Sequence, residues 1–156
     1  MSTSIQNFIW LPSSTISEAA AFYTSLFPST DTKLSFITSP TDASEIFSAS
    51  FRLLNQDFVL ISNCPDDVTP TDAISFGIGC SSQEEIDRVW ELFLKNGAEE
   101  KNCGWIKDKY GVAWQVYPVK LGEWMSNKEK MGSVMGAMMG MAGKLDLEAL
   151  KKAHDE

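Results

Sequence analysis

Cys103-Gly104-Trp105-Ile106-Lys107-Asp108-Lys109-Tyr110-Gly111-Val112-Ala113-Trp114-Gln115-Val116-Tyr117-Pro118 decides the fold of this chain. It reads as a β-hairpin with aromatic-rich arms. Asp108-Lys109-Tyr110-Gly111 is the turn, where an aspartate commonly accepts local backbone hydrogen bonds. Cys103 to Lys107 is the outgoing strand and Val112 to Tyr117 the returning one.

Upstream of the hairpin lies a strand over Ala73 to Gly79, followed by Ser81-Ser82-Gln83-Glu84-Glu85 with two overlapping capping boxes. Ile86, Val89, Trp90, Phe93 and Leu94 then recur at helical spacing until Asn96-Gly97 ends the helix. A short strand near Glu99 to Lys101 completes the set. Earlier in the chain the same order occurs. Gln6 to Leu11 is an apolar strand, and Thr15-Ile16-Ser17-Glu18 fits a capping box. Ala19, Phe22, Tyr23, Leu26 and Phe27 form a helical stripe that Pro28 stops. Lys33 to Thr38, Ile46 to Leu53 and Phe58 to Ser62 read as strands, with Asn55-Gln56-Asp57 as a turn. Strand–helix–strand–strand–strand therefore appears twice, about 65 residues apart. The fold class is α+β: two βαβββ modules, 5–63 and 72–118, forming a cupped mixed sheet or partial barrel within a domain over 1–120. The concave side of such a cup is where a small ligand belongs. Past it, residues 121–156 form a helical extension: Gly122 to Ser126, Lys128 to Ala142 and Asp146 to Ala153. Gly132, Gly136, Gly140 and Gly143 weaken the middle helix, so it needs a partner surface.

Bulk properties bound the function. The 156 residues carry a net charge of −8, and the first 100 hold 14 acidic against 4 basic side chains. No basic face is visible, which argues against nucleic acid. Three cysteines, Cys64, Cys80 and Cys103, without paired spacing point to a reducing compartment. No leader pattern and no membrane-length apolar run occurs, so a cytoplasmic protein without a membrane partner is expected.

Several segments together resemble the PhnB-like branch of the vicinal oxygen chelate superfamily, the glyoxalase/bleomycin resistance/dioxygenase fold. They are Phe8-Ile9-Trp10-Leu11, the helix end Ala21-Phe22-Tyr23-Thr24-Ser25-Leu26-Phe27-Pro28, Ala73-Ile74-Ser75-Phe76, Asp87-Arg88-Val89-Trp90 and Cys103 to Gln115. The tail from Met135 to Leu150 also fits. Such domains often carry the label 3-demethylubiquinone-9 3-methyltransferase. The chain has no Gly-rich strand–turn–helix loop to hold S-adenosylmethionine.

The resemblance implies where chemistry belongs. Metal-dependent members hold a divalent ion with His, Gln or Glu from the first strand of each module and a carboxylate on the last. Those positions fall here on Asn7 or Phe8, on Ser75 and on Gln115, and residues 58–63 contain neither carboxylate nor His. The sole histidine, His154, is near the end and reads as solvated. A metal-free cup with no cofactor is therefore expected. Its candidate ligand-cavity residues are Phe8, Trp10, Ser75, Gly77, Cys103, Trp105, Trp114 and Gln115. Each has a plainer reading: Cys80 and Cys103 as small core residues, Trp105 and Trp114 as sheet filling, Gln115 as a satisfied amide. The methionines at 131, 135, 138, 139 and 141 suggest a packing face for a second subunit. The leading expectation is a homodimer that binds a small organic molecule, with metal-independent catalysis left open. The alternatives are a metal-dependent lyase, isomerase or dioxygenase and a non-catalytic, resistance-type sequestering protein.

Overall fold

The computed structural model describes residues 3–28, 31–63, 65 and 67–156. Cys64 lies outside the described residues. The chain divides into two compact units, Met1–Thr69 and Pro70–Glu156.

The first unit contains β1 (Asn7–Trp10), α1 (Ile16–Leu26), β2 (Ser35–Thr38), β3 (Ile46–Leu53) and β4 (Gln56–Ile61). Its sheet runs β1-β4-β3-β2, with β1 parallel to β4 and the other neighbours antiparallel. Period-2 alternation sends Ile9, Ala49, Phe51, Phe58 and Leu60 to the α1 side, where Ala19, Ala20, Phe22, Tyr23 and Leu26 meet them. Phe51 stacks between Tyr23 and Phe58, with ring centroids 6.0 and 5.6 Å away. The capping box expected at Thr15 does not form. Pro12 to Thr15 make a 3₁₀ turn that runs straight into α1, so Thr15 already has helical angles and its hydroxyl donates to the Pro12 carbonyl at 2.8 Å. An N-cap needs an extended residue at that point. The turn between β3 and β4 falls on Leu54-Asn55, one residue earlier than expected, with Leu54 at φ 53°.

The second unit repeats the plan with β5 (Ser75–Cys80), α2 (Gln83–Lys95), β6 (Glu99–Glu100), β7 (Trp105–Lys107) and β8 (Ala113–Pro118). The sheet order is β5-β8-β7-β6, again with the outer first strand parallel to the last. The duplication read from the sequence is thus a duplication of topology, strand for strand. The cap on α2 forms as expected: Ser82 Oγ accepts from the Glu85 amide at 3.3 Å, and Glu85 Oε2 accepts from the Ser81 amide at 2.7 Å. Ile86, Val89, Trp90 and Phe93 make its buried stripe.

The extension belongs to this second unit. It forms α3 (Leu121–Ser126), α4 (Met131–Met139) and α5 (Leu147–Asp155), and α4 is shorter than the glycine-weakened stretch expected from sequence. Trp124, Val134, Leu145 and Leu150 are its buried core. A strap at 141–147 ties it down. The Cys103 and Gly104 amides donate to the carbonyls of Met141 and Gly143 at 3.1 and 2.8 Å. Gln83 donates to the Leu145 carbonyl and accepts from the Leu147 amide, and Lys144 pairs with Asp87 at 2.7 Å. Among the described residues no helix is long and apolar enough to cross a membrane.

Candidate functional site

The β7–β8 hairpin fixes which side chains share a face. Its turn is built on Asp108, which is 4% exposed. Asp108 Oδ1 accepts from the amides of Tyr110 and Val112 at 2.9 and 3.0 Å, and Oδ2 accepts from the indole N–H of Trp114 at 2.9 Å. The expected local role of Asp108 is therefore extended by a side-chain bond across the hairpin. That bond pulls Trp114 to the α2 side, where it packs on Phe76 and Phe93 at 5.2 and 5.5 Å.

Consecutive strand residues point to opposite faces. With Trp114 in the core, Gln115 lies on the face turned away from α2. Trp105 is its cross-strand partner and Gly77 its partner on β5. Ser75 lies two residues along from Gly77 on the same face, and its hydroxyl accepts from Gln115 Nε2 at 2.7 Å. The structure thus brings together Ser75, Gly77, Trp105 and Gln115 from the expected set. It corrects Trp114, which is 2% exposed and belongs to the helix-side core. Glycine at position 77 leaves room for a neighbour: an added Cβ would come within 2.9 Å of the Tyr117 ring.

Beside Trp105 the same face opens into a hollow of about 250 Å³, lined by Asp72, Lys101, Asn102, Trp105, Lys107 and Ala113. Lys107 pairs with Asp72 at 2.8 Å. Their hydrogen bond holds the Asp72 carboxyl below its usual range and lifts the Lys107 ammonium above its own. Sequence reasoning passed over this pair, although period 2 from Trp105 places Lys107 on the same face.

Phe8 and Trp10 are on the face of the first sheet turned away from α1, 62% and 46% exposed. Asn7, the alternative to Phe8, points to the α1 side, and its Nδ2 donates to the Asp57 carbonyl at 3.1 Å. The first-strand position on the open face is therefore an apolar Phe. Cys103 is in the loop before β7, with φ 61° and its amide on the strap. Cys80 is buried, and burial first, with Glu85 second, pushes its thiol up to about 11, so it is no thiolate nucleophile at neutral pH.

A divalent ion is a poor fit to this donor set. Ser75 and Gln115 are neutral and already bonded to each other. Among the described residues no three His, Cys, Asp or Glu side chains gather in a way that could hold a metal ion.

A sequence family described as 3-demethylubiquinone-9 3-methyltransferase matches residues 3–117. The match stops at Tyr117, so it does not extend to the tail. No curated protein sequence matches the chain closely. Among solved structures, a Bacillus cereus PhnB protein described with the same methyltransferase label is 31% identical, with 73% of this chain and 98% of that one covered and a TM-score of 0.60. Protein PA1353 from Pseudomonas aeruginosa is 19% identical over 75% of this chain and 98% of its own, with a TM-score of 0.60. The fosfomycin resistance protein FosX from Mesorhizobium loti shares the fold at 8% identity, covering 81% and 99%, with a TM-score of 0.54. With two βαβββ sheets, the hairpin of Cys103–Pro118 and the family match over most of its length, the chain belongs to the PhnB-like family of the glyoxalase/bleomycin resistance (vicinal oxygen chelate) superfamily.

Proposed function

We propose that this protein binds a small polar organic molecule on the Gln115 face of its second sheet, without a metal ion. The observation that carries this reading is the Gln115–Ser75 hydrogen bond at 2.7 Å. It sits at the position where the superfamily resemblance calls for a charged ligand. Gln115 has a carbonyl to accept and a second N–H to donate, and the Ser75 hydroxyl can do either. A ligand carbonyl or hydroxyl therefore finds both kinds of partner. Trp105 supplies an aromatic wall, and Lys107 with Asp72 places one charge of each sign at the hollow's rim. This donor set suits orientation by hydrogen bonds.

Two measurements test the reading. The purified protein is incubated with Mn²⁺, Ni²⁺, Zn²⁺ or Fe²⁺, dialysed and analysed for metal, and substoichiometric metal is expected throughout. One ion retained per chain overturns the metal-free assignment. A thermal-shift screen of small carbonyl and hydroxyl compounds then compares the parent with Gln115→Ala and Trp105→Ala. Loss of one hydrogen bond at the anchor is expected to weaken a hit by about tenfold. Hits untouched by either substitution would move the site elsewhere.

The same reading makes the protein a homodimer through α4, whose Met131, Met135 and Met139 are 42%, 38% and 69% exposed. Thioether side chains on a helix face adapt readily to an apolar partner surface. Light scattering is expected to give twice the chain mass for the parent and the chain mass for Met135→Lys. A monomeric parent at high concentration refutes the dimer.

A further inference from the structure

The extension borders a second, half-open cavity, remote from the Gln115 hydrogen bond in its lining residues. It lies within the second unit, where the C-terminal ends of the parallel strands β5 and β8 meet α3 and α5, and has a volume of about 330 Å³. That is large enough for a small organic ligand. Its apolar surface includes Pro118, Val119, Leu147 and the indole of Trp124, which is 5% exposed. Its polar wall carries Lys120, Glu148, Lys151, His154 and Asp155. The chain's sole histidine, expected in solvent, is instead half-buried against Trp124 with ring centroids 6.0 Å apart.

The wall holds two ammonium and two carboxylate groups, and they are not paired with one another. Asp155 is engaged by His154, with Oδ1 3.1 Å from Nδ1. Glu148 sits in the first turn of α5, where the helix amides favour a carboxylate. Lys120 and Lys151 have no carboxylate within ion-pairing distance among the described residues. Two exposed ammonium groups therefore line an apolar, aromatic-walled hollow without an ion pair of their own among the described residues.

We propose that this cavity is a binding site for a small organic anion, a carboxylate carried on a planar apolar body. The body lies against Trp124 and Leu147, and the carboxylate meets Lys120 and Lys151. The family match ends at Tyr117, and α3 and α5 lie beyond it. All of the cavity's lining except Cys80 and Ser81 thus lies beyond the matched segment. The site is independent of the proposal made for Gln115.

Benzoate is a sufficient probe, with benzyl alcohol and benzylammonium as matched neutral and cationic shapes. In an NMR titration of the full chain, benzoate is expected to shift the Trp124 indole N–H and the His154 ring protons saturably. Benzyl alcohol and benzylammonium are expected to bind at least tenfold more weakly. Lys151→Ala and the double variant Lys120→Ala/Lys151→Ala should weaken benzoate by about threefold and at least tenfold with the rest of the spectrum unchanged. Gln115→Ala should bind benzoate as the parent does. Shifts that fail to saturate, that fall on Trp105 instead of Trp124, or that are equal for benzylammonium would each overturn the proposal. So would benzoate affinity unchanged in both lysine variants.

Discussion

Replacing Asp108 by Ala is expected to destabilise the second unit by about 4 kcal/mol. The substitution strips acceptors from the Val112 amide and the Trp114 indole, residues that are 5% and 2% exposed. Each buried donor left without a partner costs roughly 1–3 kcal/mol, and the Tyr110 amide at the more open end of the turn adds little. Asp108→Asn separates hydrogen bonding from charge. Its carbonyl can still serve the two amides, but its NH₂ then meets the Trp114 N–H, donor against donor. About 2 kcal/mol is expected for that clash. The diagnostic is a double-mutant cycle: with Trp114→Phe already present, Asp108→Asn should cost at least 1 kcal/mol less than it does in the parent. Urea unfolding followed by tryptophan fluorescence measures all five proteins. An Asp108→Ala variant within about 0.5 kcal/mol of the parent would show that the hairpin does not depend on its buried carboxylate.

This dependence also explains what was legible in the sequence. Asp108 and Gly111 announce a turn by residue type, and the turn sets the hairpin register, so Trp105 opposite Gln115 was within reach. The grouping of Trp114 with Gln115 was not physically available, because neighbours on a strand cannot share a face. The two tryptophans look alike in composition. What separates them is that only Trp114 has a carboxylate near its indole N–H on the core side. The repeat was legible because each module writes a period-2 strand and a period-3.6 helix in the same order. Thr15 misled because its spacing to Glu18 matches a capping box, whereas the backbone set by Pro12 makes it part of a 3₁₀ turn. His154 and its cavity were out of reach. Their position depends on the chain folding back across the thirty residues from Trp124 to His154, and no local pattern encodes that contact.

Gly104→Ala is expected to be nearly as damaging as the loss of Asp108, through backbone rather than charge. Gly104 has φ 79°, in the left-handed region where a Cβ costs roughly 1–2 kcal/mol. Space is a second obstacle. An added Cβ would lie 2.7 Å from the Val116 carbonyl oxygen and 2.9 Å from Leu145 Cγ. Val116 is in the central strand β8 and cannot retreat. Leu145 is 1% exposed in the core of the extension, so it must move and take the strap with it. The Gly104 amide bond to Gly143 and the Cys103 bond to Met141 then weaken together. A loss of about 3 kcal/mol is expected once the overpacking is added to the conformational strain. Hydrogen exchange should show faster exchange at residues 103 and 104 and through the amides of α5, with β3 and β4 of the first unit unchanged. The contrast is Gly132→Ala on α4, where a Cβ meets nothing within 4 Å. There the better helix former should raise stability by about 0.5–1 kcal/mol. Comparable effects of the two substitutions would mean that Gly104 is not where the extension is fastened to the sheet.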